Sequence, residues 1–261
     1  MKEEIKVKEW ALVTGASSGI GKTFAEKLAQ IGFNLILIAR REEKLNEIKE
    51  NLISKYAVKI EVISADLSDR NCFLLIEENI KNKEISLLVN NAGFGQSGSF
   101  LDNPLDNYIK MIDVNCTTPL FLTKTIAEKM KKRNKGSIIF IGSILGLIPT
   151  PYNSVYSATK AFEDFLASSL WYELKEYNIN VLCVNPGTTK TEFHSKAGLK
   201  QSKYFRYPEQ VVDTALKKIY KKPSIIDGFI NKIIILLVRI ITRKQLVTKV
   251  GNVFYKLQKP L

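Results

Sequence analysis

Residues Trp10 to Gly21 read WALVTGASSGIG and pass from an apolar run into a glycine-rich turn. The run Trp10 to Thr14 has the apolar character of a strand that is buried on both faces. The stretch Ile20 to Ile31 follows, with apolar residues three and four apart, which predicts a helix. The segment therefore predicts a strand, a tight turn and a helix, the unit from which doubly wound parallel sheets are built.

The same alternation of apolar runs and amphipathic stretches continues along the chain. Further strands are predicted at Leu35 to Ala39, Lys59 to Ser64, Leu87 to Asn90, Ser137 to Ile141, Asn180 to Val184 and, more weakly, Ser224 to Ile226. Further helices are predicted at Glu42 to Tyr56, Leu105 to Arg133, Val155 to Tyr177 and Pro208 to Lys221. We expect an α/β fold: a Rossmann-type, doubly wound parallel sheet of about seven strands in a single domain. Residues 1–227 would form the main body, with 228–261 a helical extension of the same unit.

The composition argues against several classes of site. The chain of 261 residues contains one histidine, His194, and three cysteines far apart in sequence, Cys72, Cys116 and Cys183. We therefore expect free, mostly buried thiols and no metal site. The first ten residues are charged and lack the apolar segment of a secretory signal, so a cytoplasmic location is expected.

Two arginines follow the second predicted strand, about twenty residues beyond the glycine-rich turn. The glycines Gly15, Gly19 and Gly21 would let the backbone approach a pyrophosphate, although such a turn can also be purely structural. A carboxylate after the second strand would bind a ribose 2′-hydroxyl, whereas Arg40 and Arg41 would bind a 2′-phosphate. This favours NADP(H) over NAD(H), unless both arginines are simply solvated at a helix start.

Three polar residues lie after the fifth predicted strand in a spacing that suits proton transfer. Tyr156 and Lys160 are four residues apart and project from one face of a helix. A nearby ammonium stabilises a phenolate, so Lys160 would lower the pKa of Tyr156. Ser143 would donate a hydrogen bond to the substrate oxygen, where charge develops when a hydride reaches a carbonyl carbon.

These residues occur within a longer series of motifs that resembles the short-chain dehydrogenase/reductase family over nearly the full chain. The series is TGASSGIG, Asp66 in ADL, NNAG at Asn90 to Gly93, Asn115 in DVNC, Ser143, YSATK at Tyr156 to Lys160, and NPG at Asn185 to Gly187. The resemblance implies that Asn115 holds a water linking Lys160 to solvent. It implies the catalytic set Asn115, Ser143, Tyr156 and Lys160.

The resemblance also implies contacts with the cofactor. Asp66 and Leu67 would flank the adenine, NNAG would support the sheet beside the cofactor, and Thr188 and Thr191 would hold its carboxamide or phosphate side. Together with the turn and the arginines, the cofactor-binding set is Gly15, Ser17, Ser18, Gly19, Ile20, Gly21, Arg40, Arg41, Asp66, Leu67, Asn91, Ala92, Gly93, Tyr156, Lys160, Pro186, Gly187, Thr188 and Thr191. For NNAG and NPG, a structural role at a strand end is the first interpretation.

The substrate pocket has no obvious charged anchor. Gly95 to Asp102 and Leu145 to Asn153 would line its mouth, and Glu192 to Tyr207 would form the substrate-covering loop that the family carries. Apolar residues in these segments favour a lipophilic or uncharged carbonyl, although Lys196, Lys200 and Lys203 would suit an acidic carrier or coenzyme A.

The C-terminal segment carries most of the net charge. Residues 217–261 contain eleven Lys or Arg and one acidic residue, Asp227, against a net charge of +13 for the whole chain. Phe229 to Ile241 reads FINKIIILLVRII, apolar almost all round a helix but too short to span a membrane. Packing against the body or a partner subunit, or peripheral contact with a membrane surface, would explain it. Nucleic acid is not expected, because no binding module is recognisable.

We therefore expect an NADP(H)-dependent oxidoreductase, acting on a ketone or aldehyde or on the corresponding alcohol, that forms a homodimer or homotetramer through its long helices. The resemblance extends to an NADP-preferring subgroup with a basic, apolar C-terminal tail. The alternative is a membrane-surface or partner-binding module that retains the cofactor fold.

Overall fold

The computed structural model describes residues 9–193, 205–238 and 240–258. Its described part contains one parallel sheet of seven strands in the order β3-β2-β1-β4-β5-β6-β7. The strands are β1 (Trp10–Thr14), β2 (Asn34–Ala39), β3 (Ile60–Ser64), β4 (Ile85–Asn90), β5 (Gly136–Ile141), β6 (Ile179–Asn185) and β7 (Ser224–Ile226). The doubly wound α/β fold expected from the sequence is confirmed, and the weak seventh strand pairs with β6.

Helices cover both faces of this sheet. They are α1 (Gly19–Gln30), α2 (Glu42–Lys55), α3 (Cys72–Ile80), α4 (Leu105–Ile112), α5 (Thr118–Arg133), α6 (Ser154–Glu173), α7 (Pro208–Lys218), α8 (Phe229–Val238) and α9 (Arg243–Gln258). Two apolar clusters fill the spaces between sheet and helices, one with Phe24 and Leu28 of α1 and the other with Leu122 and Ile126 of α5. None of the described helices combines the length and the apolar character needed to cross a membrane.

Two helical features differ from the sequence prediction. Helix α3 has no counterpart among the predicted helices, whereas α9 lies within the predicted helical extension 228–261. The predicted helix from Leu105 to Arg133 is interrupted by a π-helical turn at Asp113–Thr117. Such turns insert one extra residue per turn and often occur at functional sites, and hydrophobic periodicity does not reveal them. This turn contains Asn115, one of the predicted site residues.

The strand order places a cleft between β1 and β4. The chain leaves β1 toward β2 and β3 on one side and returns to β4 on the other, so the connections diverge above this pair. Ligands of open α/β sheets bind at such a switch point, beyond the carboxyl ends of the strands. The glycine-rich turn after β1 and the NNAG segment after β4 meet there.

Thr14 joins these two strand ends. Its hydroxyl donates to the carbonyl of Val89 at 3.3 Å and accepts from the backbone N–H groups of Asn91 and Ala92 at 3.0 and 2.9 Å. The amide of Asn91 donates in turn to the carbonyl of Thr14 at 2.8 Å. One buried side chain thus sets the spacing of the two loops that border the cleft.

We predict that Thr14→Val lowers the free energy of unfolding by about 2–4 kcal/mol, because it leaves two backbone N–H groups without their acceptor. Urea denaturation followed by circular dichroism measures this change. Thr14→Ser keeps the hydroxyl and should lose less than half as much. Equal stability of the valine and wild-type proteins would contradict the role given to the hydroxyl.

Candidate active site

The glycine-rich turn has a backbone that demands glycine. Gly15 and Gly19 have positive φ angles of 65° and 54°, which side chains with a Cβ rarely adopt. A Cβ on Gly21 would collide with the carbonyl of Gly15 and would lie 2.5 Å from the amide nitrogen of Asn91. The start of α1 therefore packs closely against the ends of β1 and β4. The N–H groups at a helix N-terminus of this kind can bind a phosphate.

Arg41 reaches over this turn. Its guanidinium donates to the hydroxyl of Ser17 at 3.0 and 3.2 Å and to that of Ser18 at 2.9 Å, and it pairs with Glu192 at 2.9 Å. Arg40 behaves differently: its side chain is 76% exposed and lies 3.9 Å from the carboxylate of Asp66. The sequence offers Arg40 and Arg41 as equivalent candidates, but of the two it is Arg41 that contacts the glycine-rich turn in the structure.

Asp66 lies at the outer side of the cleft. Its carboxylate accepts from the backbone N–H and the hydroxyl of Ser68 at 3.0 and 2.9 Å. Burial raises its pKa, but these hydrogen bonds and the charge of Arg40 outweigh that effect and lower the pKa overall. Asp66 therefore remains ionised and available as an acceptor beside the cleft.

The segment after β6 folds back toward the glycine-rich turn. A Cβ on Gly19 would come within 2.9 Å of the methyl group of Thr191, so these two predicted residues are in contact. The carbonyl of Thr188 accepts from the N–H of Arg206 at 2.9 Å, and that of Pro186 accepts from the N–H of Ile144 at 3.0 Å. This segment closes one side of the cleft.

Asn115 joins the loop after β4 to helix α6. Its side chain is fully buried and donates to the carbonyl of Phe94 at 3.0 Å and to the hydroxyl of Thr159 at 2.9 Å, while its oxygen accepts from the N–H of Phe94 at 3.1 Å. A Cβ on Gly93 would lie 3.1 Å from the Asn115 oxygen and 3.2 Å from Nζ of Lys160. Gly93 therefore lies between these two predicted catalytic residues.

Asn185 positions Ser143, a role for which the NPG motif offers no signal. Its side-chain oxygen accepts from the N–H of Ser143 at 3.0 Å, and its amide donates to Asp164 at 2.6 Å and to Ser224 at 3.1 Å. Ser143 lies at the end of β5, just before a short 3₁₀ turn at Ile144–Leu147. Its hydroxyl is thereby directed toward Tyr156.

Tyr156 and Lys160 lie on one face of α6, as their spacing predicts, and both are buried. Burial raises the pKa of Tyr156 above its ordinary value, while the charge of Lys160 and a hydrogen bond with Ser143 act in the lowering direction. Its ring packs against Phe193, with centroids 5.6 Å apart. The structure thus brings the serine, tyrosine and lysine together.

Glu163 is a site residue that sequence reasoning missed. Nζ of Lys160 lies 2.9 Å from both carboxylate oxygens of Glu163 and 2.8 Å from the carbonyl of Ile141. Both side chains are shielded, at 4% exposure for Lys160 and 1% for Glu163. Burial raises the pKa of the Glu163 carboxyl to about 7, against the opposing charge of Lys160. The i, i+3 spacing was visible, but only the packing shows that the pair faces inward.

Apolar side chains lie next to Tyr156, and some of them come from the segments predicted to line the pocket. Phe94, Leu145 and Phe193 pack against the cluster that contains Tyr156. A cavity of about 550 Å³ at the start of α6 is lined by Phe100, Pro151 and Tyr152 and, unexpectedly, by residues of α9 such as Val247 and Tyr255. His194, Lys196, Lys200 and Lys203 lie outside the described residues.

The three cysteines are free thiols, but only Cys183 is buried; Cys72 and Cys116 are partly exposed, so the expectation of mostly buried thiols is wrong. Burial raises the pKa of Cys116 to about 12 and that of Cys183 well above its ordinary value, so neither is a thiolate nucleophile near pH 7. In the part of the chain that the structure describes, no three His, Cys, Asp or Glu side chains come together as metal ligands.

The fold and the site together define a class: a doubly wound α/β protein with a glycine-rich turn and a buried Ser-Tyr-Lys cluster at its switch point. A family model described as "short chain dehydrogenase" matches residues 9–202. The chain belongs to the short-chain dehydrogenase family.

Several curated proteins are similar to this chain. Very-long-chain 3-oxoacyl-CoA reductase-A of Danio rerio is 41% identical over 185 residues, which are 69% of this chain and 58% of that protein. The human very-long-chain 3-oxoacyl-CoA reductase is 35% identical over 217 residues, 81% of this chain and 68% of its own length. The chain thus spans less than two thirds of the zebrafish relative.

Solved structures share the fold. A short-chain dehydrogenase from Sphingobium yanoikuyae in complex with NADPH has a TM-score of 0.79 at 33% identity and covers 84% of this chain and 87% of its own. A 7beta-hydroxysteroid dehydrogenase has a TM-score of 0.87 at 28% identity, with 93% of this chain and 96% of that chain covered. The second match extends farther along this chain than the first.

Proposed function

We propose that this protein is an NADP(H)-dependent oxidoreductase that reduces a lipophilic ketone or aldehyde, or oxidises the corresponding alcohol. The observation that carries the proposal is the convergence of Ser143, Tyr156 and Lys160 beside the cleft at the switch point. The sequence similarity to reductases and to a dehydrogenase solved with NADPH supports it.

The bound cofactor would supply or accept the hydride. Tyr156 would then give a proton to the substrate oxygen, which gains charge as the carbonyl is reduced. An unperturbed phenol has a pKa about 3 units above neutrality, so its anion needs about 4 kcal/mol of stabilisation at pH 7. The ammonium of Lys160 contributes to this, and the Ser143 hydroxyl would donate a hydrogen bond to the same oxygen.

Asn115 would contribute to the reaction by holding neighbouring parts of the site in place. Its side chain holds Phe94 and Thr159, which fixes the loop after β4 against the helix that carries Tyr156 and Lys160. We retain the proposal that it also supports a water linking Lys160 to solvent. Four such residues would be unnecessary in a protein that only binds the cofactor, which argues against the binding-module alternative.

The preference for NADP(H) rests on Arg41. The guanidinium contacts both Ser17 and Ser18 of the glycine-rich turn, and this cluster of donors suits a 2′-phosphate next to the adenosine ribose. Five of the other predicted cofactor contacts suit the same placement, since Gly15, Gly19 and Gly21 belong to the turn and Asn91 and Thr191 border it.

The lipophilic character of the substrate rests on the lining of the site. Phe94, Leu145 and Phe193 surround Tyr156, and the cavity at the start of α6 has an apolar wall. The similar proteins are named for long acyl and steroid substrates, which supports a substrate of this kind.

The surface of α8 supports a further element of the proposal, contact with an anionic membrane surface. Asn231, Ile235 and Val238 lie along one stripe toward the body, and Ile235 is buried. Apolar side chains cover the outer face: Phe229, Ile230, Ile233, Ile234, Leu236, Leu237 and, just beyond the helix, Ile240. Residues 217–261 contain eleven basic residues and one acidic residue. The positive charge of this segment would repel an identical copy and attract anionic headgroups.

The first prediction concerns the proton donor. Tyr156→Phe should lower turnover at least about 100-fold, because general acid catalysis is lost, and should leave NADPH binding within a factor of two to three. NADPH oxidation at 340 nm against a panel of ketones and aldehydes measures the first quantity, and NADPH fluorescence measures the second. Turnover of the variant at more than half the wild-type rate would rule out this donor.

The second prediction concerns the cofactor phosphate. Arg41→Ala should raise the KM for NADPH about 10- to 100-fold, the loss expected for a charge-assisted hydrogen bond, and change the KM for NADH little. Arg40→Ala is the matched control and should have a smaller effect, because Arg40 is far more exposed. If Arg40→Ala has the larger effect, the assignment of the phosphate to Arg41 is wrong.

The third prediction concerns the outer face of α8. The double variant Leu236→Ser, Leu237→Ser should no longer sediment with phosphatidylserine-containing vesicles, whereas the wild-type protein does. Leu74→Ser, Leu75→Ser removes an exposed apolar pair from α3 and is the control; it should bind like wild type. If the α8 variant binds vesicles as well as wild type does, the membrane contact is contradicted. It is also contradicted if the wild-type protein does not bind vesicles but is a dimer that the α8 substitutions dissociate.

A further inference from the structure

Lys160 is an ammonium removed from water. It is 3% exposed, and its contacts are the carbonyl of Ile141 and the two carboxylate oxygens of Glu163. An unpaired ammonium in such a place loses its proton readily, because burial disfavours the charged form. A neutral amine would give Tyr156 no charge with which to stabilise a phenolate.

Several ionisable groups from different elements face this ammonium. Tyr156 and Glu163 come from α6, Cys116 from the π-helical turn, and Cys183 from β6. Asp164 of α6 acts on Glu163 instead. Both thiols stay neutral, because burial raises their pKa values strongly. Asp164 is bound by Asn185 and by Ser224, at 2.6 and 2.5 Å. Among the described residues, Glu163 is the one carboxylate that contacts Lys160.

We propose that Glu163 is a positioning residue that keeps Lys160 protonated and directs its ammonium, and that Tyr156 is active only because this carboxylate supports the lysine. This inference rests on the proposed function, since it deepens the account of the same site. Glu163 acts through Lys160 and would touch neither substrate nor cofactor.

The directions of the pKa shifts agree with this geometry. Burial lowers the pKa of Lys160, and the charges of Glu163 and Tyr156 more than offset that effect. Glu163 also acts directly on Tyr156 and raises the pKa of its phenol, as the weakest of the four influences on it. Removing Glu163 would therefore change the pKa of Tyr156 in two opposite ways. Loss of the Lys160 charge would raise this pKa, whereas loss of the direct repulsion by Glu163 would lower it.

The first experiment needs no turnover. Tyrosinate absorbance at 295 nm is titrated in wild-type protein and in Glu163→Gln, and the titration of the matching Tyr156→Phe protein is subtracted from each. We expect the Tyr156 transition to lie about one pH unit or more higher in Glu163→Gln. An unchanged or lower transition would show that Glu163 does not maintain the lysine charge, and would overturn the proposal.

The second experiment uses the pH dependence of NADPH-driven reduction. Since the Glu163 carboxyl has a pKa raised to about 7, it is ionised in the wild-type protein mainly above that pH. Glu163→Gln should therefore resemble wild type near pH 6 and lose at least about tenfold in kcat by pH 8, as its lysine deprotonates. A uniform loss at every pH is the mark of a merely structural role and would contradict the proposal.

Two further variants isolate the carboxylate. Glu163→Asp keeps the charge and should return the pH profile toward wild type. Asp164→Asn removes the neighbouring carboxylate, which binds Asn185 and Ser224 instead of Lys160, and should not produce the steep loss between pH 6 and 8. If Asp164→Asn produces this loss and Glu163→Gln does not, the assignment is wrong.

The outcomes separate this inference from the proposed function. Absence of turnover in wild-type protein with every carbonyl tested would count against the proposed function, while the phenol titration would still decide the role of Glu163. Circular dichroism and NADPH fluorescence establish that each variant is folded and binds the cofactor. If Glu163→Gln does not fold, the same titration on Glu163→Ala decides, because this variant also removes the charge: a Tyr156 transition above the wild-type value supports the proposal, and an unchanged or lower one overturns it.

Discussion

The divergence of the chain between β1 and β4 is the constraint on which the rest of the structure depends. Two adjacent parallel strands whose connections leave in opposite directions cannot be closed over at their carboxyl ends, so a cleft is unavoidable there. The Thr14 hydroxyl and the Asn91 amide hold its two rims at a set distance. The glycines of the first turn and Gly93 then keep both rims free of side chains, which leaves room for a ligand.

The polar groups of the site come from four separate elements that pack on this cleft. Ser143 follows β5 and is held by Asn185 at the end of β6. Asn115 comes from the π-helical turn and fastens the loop after β4 to α6. Because each side chain is buried and hydrogen-bonded, its position follows from the packing of the core around it. Rigid placement of this kind is what acid catalysis at one oxygen atom requires.

Helices α8 and α9 add a surface that the main body lacks. Leu246 of α9 is buried, and Gly251 approaches Pro151, so α9 covers the start of α6. Helix α8 buries one narrow stripe and exposes the rest of its apolar circumference. The general rule that an all-round apolar helix is buried therefore does not hold for α8 within this chain. The same C-terminal segment lines one side of the cavity at the start of α6 and carries the apolar face of α8.

The sequence by itself determined the order of the strands and most of the helices, and which residues share one face of α6. Alternating apolar runs indicate buried parallel strands wherever they occur, since backbone hydrogen bonding and burial act locally. The i, i+4 spacing of Tyr156 and Lys160 places them on one face in any helix. The glycine-rich turn was readable for the same reason, because positive φ angles restrict the residue type.

Only the tertiary structure decided which of several equivalent residues take part. Arg40 and Arg41 are adjacent and alike in sequence, but in the fold Arg41 contacts Ser17 and Ser18 while Arg40 is exposed. In the sequence, Glu163 resembles any acidic residue of an amphipathic helix. The structure shows that it is buried and paired with Lys160. The π-helical turn at Asn115 and the exposure of α8 also depend on long-range contacts. A pattern along one segment reports its own backbone preferences, whereas burial and charge pairing depend on what the rest of the chain places beside it.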